Sequence, residues 1–562
     1  MTGRTSNRSR SLLRLGSLAL IVVAAISLFR ELKPHRDPLP MLPLRLSPEL
    51  TPSAVVPAAP GSLAGRNVLL VTLDTTRPDR LGAYGNSGIA TPTLDRLAAN
   101  GVVFSNALAT APTTLPTHAS ILTGLYPAHH GARTNGLFRL DDDRVTLAEV
   151  LSRHGYDTAA FVSSFVLDGD FGLAQGFDHY DDDVGPKSRE GLYAERRADE
   201  TTDRAIAWLA RRRDRPAFAW VHYYDPHVLY DAPPPFSDRS ESPYDAEIAF
   251  VDHQLGRLLA SLESGARDWL VVVTADHGEA LGEAGEWTHG YLVQEATIKI
   301  PLILHAPGAL DGGFRVDTRA SQVDLVPTIA SLLGVAAPPA LDGVDLTRSP
   351  DPKRSILAEA VEGQANYGWA PLTAFYEGPY KYVDGPQPQL FDLSHDPLER
   401  SNLVEERPGD VTRLRRRLSS HAAPGGEGLA VSNVELDAED VQRLESLGYL
   451  VTAGGAKRPD RSGADPKQVL PILNRLLDLV TQFDTDATMA GWQRLAARAT
   501  GRTVMESRAD LIRELEILAE EHPDFAPTYR YLAFYYHADG RVQDAERAKQ
   551  TLAALVGSPS GG

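Results

Sequence analysis

The stretch Asn67-Val-Leu-Leu-Val-Thr-Leu73, with Asp74 directly after it, constrains the fold more than any other part of the chain. A run with almost no polar break suits a strand covered on both faces, and such strands belong to sheets that carry helices on either side. The pattern recurs. Thr158–Val162, Ala217–His222, Trp269–Thr274 and Ile300–His305 read as further strands. Thr91–Ala99, Thr146–His154, Asp199–Arg212, Tyr244–Leu262 and a stretch from about Asp324 to Leu333 read as helices between and after them. The alternation predicts an α/β fold with a parallel-rich sheet sandwiched by helices. Ligands of such sheets gather beyond the carboxyl ends of the strands. Asp74, Asp225, His227, Asp276 and His277 all fall there.

The flanks differ in character. Residues 1–33 combine Arg4, Arg8, Arg10 and Arg14 with an uncharged run from Leu15 to Phe29, ended by Arg30. This is a targeting pattern, read as a signal anchor with its basic end in the cytoplasm, or alternatively as a signal peptide that is cleaved. Either reading exports the rest to the extracytoplasmic side, membrane-anchored in the first case and secreted in the second. Residues 34–66 are rich in Pro and Ala and read as a linker that spaces the domain from the membrane. The main domain is expected over 67–405. Within it Tyr380–Val383 and Gln389–Leu393 look like short antiparallel strands, the start of a small C-terminal sheet. Residues 406–470 form a mixed connecting segment, and 471–556 a helical tail. Phe525–Ala545 has the spacing of one tetratricopeptide-like unit, or alternatively of a generic helical hairpin, with Gly540 in the turn. One such unit cannot bury its own face, so it is expected to stack on the helices before it. The tail is also the natural place for a protein partner.

A net charge of −18 argues against a nucleic-acid surface, which needs clustered basic charge. The chain has no cysteine, which excludes disulfides, thiolate metal sites and a cysteine nucleophile.

Chemistry concentrates in two stretches. Ala111-Pro-Thr-Thr-Leu-Pro-Thr-His-Ala-Ser-Ile-Leu-Thr-Gly124 is a hydroxyl-rich loop running into a helix start. Backbone N–H groups and the positive end of the helix dipole favour an anionic ester at such a junction. Thr114 is the candidate nucleophile. Alternatively Thr113, Thr114 and Thr117 only cap the helix. Thr274-Ala-Asp-His-Gly-Glu279 sends Asp276 and His277 together off the end of a buried strand. With Asp74 they suit a divalent cation bound by oxygen and nitrogen. His118, His227 and His289 lie on nearby loops or on the Thr114 stretch and are candidates to contact the anion or to move a proton.

These stretches resemble the sulfatase family of the alkaline-phosphatase superfamily over about residues 66–405. The resemblance rests on Asn67–Asp74, Leu115–Gly124 with Tyr126-Pro-Ala-His-His-Gly131, Asp225-Pro-His227, Ala275–Gly282 with Thr288-His-Gly290, and Leu390-Phe-Asp-Leu393 with Asp396-Pro-Leu-Glu399 and Asn402-Leu403. Membrane-anchored sulfatase-like proteins with tetratricopeptide tails are similar in arrangement. The resemblance implies an alkaline-phosphatase-like core and a divalent metal ion (Mn, Mg, Ca or Zn) held by Asp74, Asp276 and His277, with Thr114 in the nucleophile position and its oxygen on the metal. It implies that His227 and His289 contact the substrate.

The chain also departs from that family. Its members place Cys or Ser at the nucleophile, oxidised to formylglycine, and follow it with x-Pro-x-Arg. Here the residues are Thr114 and His118. Threonine carries a methyl on Cβ and cannot give that aldehyde. Thr75 replaces the second metal-binding aspartate, and the Lys-x-His pair has no counterpart. A sulfated diol can collapse to the aldehyde; a threonine ester must instead be cleaved at its central atom, which suits phosphorus. The expectation is a metal-dependent ester hydrolase or phospho-group transferase acting on phosphoesters, with a small-molecule or cell-envelope anionic substrate. The alternatives are a sulfuric ester hydrolase that works without formylglycine and an inactive pseudo-hydrolase serving as a scaffold. One cation is expected; Asp225, His227 and His289 are the group from which a second site would be built.

Overall fold

The run at Asn67 forms a strand in the interior of a nine-stranded sheet. The computed structural model describes residues 41–184, 195–421, 463–488 and 505–556, apart from positions 48, 212–213, 229, 241, 264–266, 311, 350, 352 and 506. The strands of the large sheet are β1 (Thr51–Ser53), β2 (Asn67–Leu73), β3 (Val102–Phe104), β4 (Asp157–Phe161), β5 (His179–Asp181), β6 (Ala217–Tyr223), β7 (Trp269–Ala275), β8 (Leu302–His305) and β9 (Phe314–Val316). Their spatial order is β1-β9-β3-β8-β7-β2-β6-β4-β5.

β2 lies between β7 and β6 and runs parallel to both. Its side chains alternate between two cores. Val68 and Leu70 face the helices Thr114–Thr123, Leu147–Arg153 and Leu325–Leu333. Leu69, Val71 and Leu73 face Pro92–Ala99, Ala198–Leu209 and Pro243–Leu262. Both parities are buried, which is why the sequence shows no alternation. The fold is α/β with helices on both faces of a parallel-rich sheet, as expected.

Ile300–His305 is not one strand. Pro301 divides it, because proline has no N–H to give a ladder. Lys299–Ile300 pairs with Ala107–Leu108 in a separate three-stranded sheet. β8 then enters the large sheet antiparallel to both β7 and β3. The large sheet is therefore mixed at this point.

The proposed linker 34–66 is corrected from residue 41 onward. β1 adds to the edge of the large sheet, parallel to β9. Val56 and Leu63 are fully buried in the main core, and Met41 is buried too. Proline bars a segment from central ladders but not from an edge strand, and it does not stop apolar side chains between prolines from packing. Leu63→Ala is expected to destabilise the domain by about 2–4 kcal/mol in denaturant unfolding. A change below about 0.5 kcal/mol would return this segment to the status of a spacer. Residues 1–33 lie outside the described residues, as do 34–40. Among the described residues no helix is long and apolar enough to cross a membrane.

The small sheet has four antiparallel strands in sequence order: β10 (Ser355–Ala360), β11 (Leu372–Glu377), β12 (Tyr380–Asp384) and β13 (Gln389–Asp392). The helix Pro408–His421 covers one face through Val411, Leu414 and Leu418. The start of the expected connecting segment is thus part of the domain, while 422–462 lie outside the described residues. The other face shares a core with the tail helices Pro466–Thr488, Arg508–Glu521, Ala526–Ala538 and Val542–Val556. Trp369 stacks on Phe525 at 6.1 Å between ring centroids. The tail helices pack in succession.

Candidate active site

Strand register builds the site. β2 sets Thr72 opposite His222 of β6 on one side and Thr274 of β7 on the other. Asp74 and Asp276 follow just past the ends of β2 and β7. The ligand atoms of Asp74, Asp276 and His277 lie within 4.8 Å of one another, and all three residues are buried.

Their hydrogen bonds leave the right atoms over. Asp276 Oδ1 accepts the N–H groups of Thr75 at 3.1 Å and His277 at 2.7 Å, while Oδ2 has no partner. Both carboxyl oxygens of Asp74 are buried without a partner. His277 Nδ1 donates to Gly278 O at 2.9 Å, which leaves the Nε2 lone pair free to ligate. Burial pushes Asp74 well above the usual carboxylate range, and the charges of Asp276 and Glu279 push it further. Burial also raises Asp276. Two buried carboxyls held together without a countercharge are costly, and a divalent cation removes that cost. The donor set fits one.

The backbone around these ligands is shaped for them. A Cβ on Gly278 would stand 2.1 Å from Ala296 O, so only glycine lets the chain pass there. Gln322 Nε2 donates to the carbonyls of Ala275 and Asp276 and pins the same turn. Thr75 has a φ of +49°, a left-handed conformation that a β-branched residue adopts at a cost of roughly 1–3 kcal/mol. In that conformation its N–H reaches Asp276, and its hydroxyl donates to Pro226 O at 2.5 Å. Thr75 therefore braces a ligand and the loop that carries His227.

Thr114 is the first residue of its helix and is fully buried. The capping alternative is not met. Thr113 makes no side-chain cap bond, and Thr117 Oγ1 donates to the carbonyls of Thr113 and Thr114. The N–H of Leu115 goes to Asn135 Oδ1 at 2.8 Å. Thr114 Oγ1 instead lies 3.4 Å from His277 Nε2, at the metal cluster. Asn135 is a residue that the sequence did not single out. Its Nδ2 is buried without a partner, beside the turn that carries Thr114.

The imidazoles surround this point. The His289 ring lies 4.4 Å from that of His277 and 5.1 Å from that of His227. His289 Nδ1 is 3.1 Å from Glu279 Oε1, and Tyr230 OH donates to Glu279 Oε2 at the same distance. His227 stacks on Tyr224, with Nδ1 donating to Val228 O. Burial holds His277 and His227 well below the usual histidine range, and lowers His289 to about 4. All three are neutral at pH 7.

His118 reaches the same neighbourhood from the helix. Its Nδ1 is 2.8 Å from Thr114 O and its Nε2 is 3.0 Å from Thr72 Oγ1. With both nitrogens engaged it positions the Thr114 turn. Asp225 points elsewhere: its Oδ1 accepts the N–H of Ala198 at a helix start, and burial raises its pKa to about 7. It does not join His227 and His289.

Comparison with known proteins agrees with this geometry. A sulfatase family model matches residues 66–335. Over these residues the chain is similar to the sulfatase family. It is 27% identical over 395 residues to an ulvan-active sulfatase of Formosa agariphila, covering 60% of this chain and 77% of that protein. It is 25% identical over 484 residues to a delta 4,5-hexuronate-2-O-sulfatase of Bacteroides thetaiotaomicron, covering 72% and 96%. The phosphonate monoester hydrolase of Agrobacterium radiobacter shares the fold with a TM-score of 0.53, at 23% identity over 63% of this chain and 95% of that one. Members of the sulfatase family are ester hydrolases that use a divalent metal ion, and in this chain Asp74, Asp276 and His277 are the group that fits one.

Proposed function

We propose that this chain is a sulfatase-family hydrolase that cleaves or transfers phosphoesters through Thr114. One observation carries the reading: the hydroxyl at the nucleophile position belongs to a threonine, is not used for capping, and faces His277 Nε2 at 3.4 Å. Attack by Thr114 Oγ at phosphorus forms the Oγ–P bond and breaks the bond to the leaving alcohol. Water or an acceptor alcohol then releases the phosphoryl group from Thr114. Asp74, Asp276 and His277 would hold a divalent cation, which would supply positive charge that favours ionisation of Thr114 and screens the anionic ester. His118 holds the turn that carries Thr114. His289, with Nδ1 set by Glu279, and His227, with Nδ1 on Val228 O, are neutral, and an Nε2 lone pair of this pair takes the Thr114 proton and passes it to the leaving oxygen. The substrate is an anionic ester, and an N-terminal anchor would place the domain on the extracytoplasmic side of a membrane.

The phosphonate monoester hydrolases among proteins of this fold support phosphorus chemistry. The relatives named sulfatases support the second reading, a sulfuric ester hydrolase without formylglycine. The deciding experiment is turnover of aryl phosphomonoester, phosphodiester, phosphonate and sulfate with Mn²⁺, Mg²⁺ or Zn²⁺. Phosphodiester or phosphonate turnover above sulfate is expected; the reverse order would overturn the phosphoester reading. Turnover of none, with no metal bound, would favour the scaffold.

The proton role of His289 has its own signature. His289→Ala is expected to lower kcat by about 10²–10⁴ for an alkyl leaving group. For 4-nitrophenolate, which leaves without a proton, the loss should be much smaller. Equal losses for both would remove His289 from the proton path.

A further inference from the structure

His222 lies beside the metal cluster and has no task in the chemistry above. It is fully buried on β6, opposite Thr72. Thr72 Oγ1 has three neighbours: Trp220 Nε1 at 3.0 Å, His118 Nε2 at 3.0 Å and His222 Nδ1 at 3.2 Å. Their protons can be assigned by elimination. An indole N–H only donates. His118 Nδ1 faces the Thr114 carbonyl, which only accepts, so a neutral His118 carries its proton there. His118 Nε2 must then accept the single Thr72 proton, and His222 must donate from Nδ1. His222 Nε2 is left with its lone pair. That atom has no hydrogen-bond partner and stands 3.5 Å from Asp74 Oδ2, which has none either.

Two lone-pair atoms at this separation repel one another unless positive charge sits between them. Two ligands on one cation, each about 2.0–2.2 Å from it, are spaced roughly 3–3.5 Å apart. Asp276 Oδ2 and His277 Nε2 show the same spacing, 3.4 Å. His222 is outside the group whose ligand atoms all lie within 4.8 Å of one another, so it does not share that group's cation. Charge points the same way. Among the described residues no lysine or arginine pairs with Asp74, Asp276, His222, His277 or His289. One divalent cation would only neutralise the two aspartates, whereas the substrate is an anion.

We propose a second divalent-cation site formed by His222 Nε2 and Asp74, with the Asp74 carboxylate bridging the two cations. It rests on the metal-dependent reading of the Asp74–Asp276–His277 group and extends it. The single cation expected from the sequence becomes a pair, built on His222 and not on Asp225, His227 and His289.

The test loads the full chain with Mn²⁺ and measures metal per chain by mass spectrometry, together with the electron paramagnetic resonance spectrum. Wild type is expected to hold two Mn²⁺ with an exchange-coupled spectrum. His222→Ala and His222→Gln are expected to hold one, with an uncoupled six-line spectrum. One uncoupled Mn²⁺ in wild type would overturn the pair and leave the metal-dependent reading standing; this outcome does not depend on how the variants fold. Two coupled ions in both variants would overturn the assignment to His222. No bound Mn²⁺ in wild type would overturn the metal-dependent reading itself, and the pair with it.

Discussion

Thr114→Ala is expected to lower kcat for an aryl phosphodiester by about three to six orders of magnitude, the range seen when a covalent nucleophile is removed. Metal stoichiometry at saturating Mn²⁺ should stay unchanged, because Asp74, Asp276 and His277 remain. Thr114→Ser keeps the oxygen and should keep most of the activity. Acid quenching during turnover of a phosphorus-labelled substrate should trap label on Thr114, and Thr114→Ala should trap none. The burial of Thr114 and the absence of any side-chain cap at its helix make the variant easy to interpret. The mutation removes a hydroxyl that the fold does not use for capping. Full turnover by Thr114→Ala would mean that attack comes from water or another group.

A second large effect is expected far from chemistry. Lys381 is fully buried on β12, and its Nζ lies 3.2 Å from Glu295 Oε1 and 2.7 Å from Glu399 Oε1. Tyr376 OH also donates to Glu295 Oε1. Burial pushes both carboxyls up. In Glu295 the charges of Lys381, Lys299 and Arg319 and the hydrogen bond from Tyr376 together outweigh burial and hold the group below its usual range, whereas Glu399 stays raised. Lys381 thus bridges two carboxylates at the junction between the small sheet and the segment after His289. Lys381→Met leaves both without it and is expected to cost about 3–5 kcal/mol at pH 7. The pH dependence follows from the sign of the Glu295 shift. A lowered folded pKa gives stability that is present above the unfolded value, about 4.3, and is lost as pH falls through the folded one. In the variant both groups lose the largest contribution that lowers them, so both take up protons more readily as the solution is acidified. The deficit should therefore be larger at pH 7 than at pH 5. Equal deficits at both pH values would show that packing, not charge, is what Lys381 supplies.

The sequence made the candidate metal ligands legible because Asp74 and Asp276 each end a strand whose apolar run is unmistakable, and Gly278 marks the turn after one of them. It made the helices and the small sheet legible through their periods. His222 and Asn135 were not legible. A single histidine inside a buried run carries no periodic signal, and its meaning comes from cross-strand register with Thr72 and from the orphaned oxygens of Asp74. Asn135 matters through a bond to Leu115 across a loop whose path no local pattern fixes. The linker reading failed from residue 41 on because composition reports how a backbone can pair, whereas Val56 and Leu63 are held by what lies beneath them. The break at Pro301 is the opposite case: a proline in an apolar run was a visible warning that one strand would become two.

The core shared by the small sheet and the tail sets an order on synthesis. Leu108, Ile356 and Tyr376 belong to one apolar cluster with Leu515, Phe525 and Tyr535. A ribosome makes the first of these long before the last. Until the final helices emerge, the sheet exposes a face with nothing to cover it, while the large sheet is already complete in sequence. Maturation of this chain therefore ends only after translation has passed its last helix. A chain that stops short of Phe525 would leave the sheet's apolar face open to aggregation and to proteases, even with every metal ligand in place.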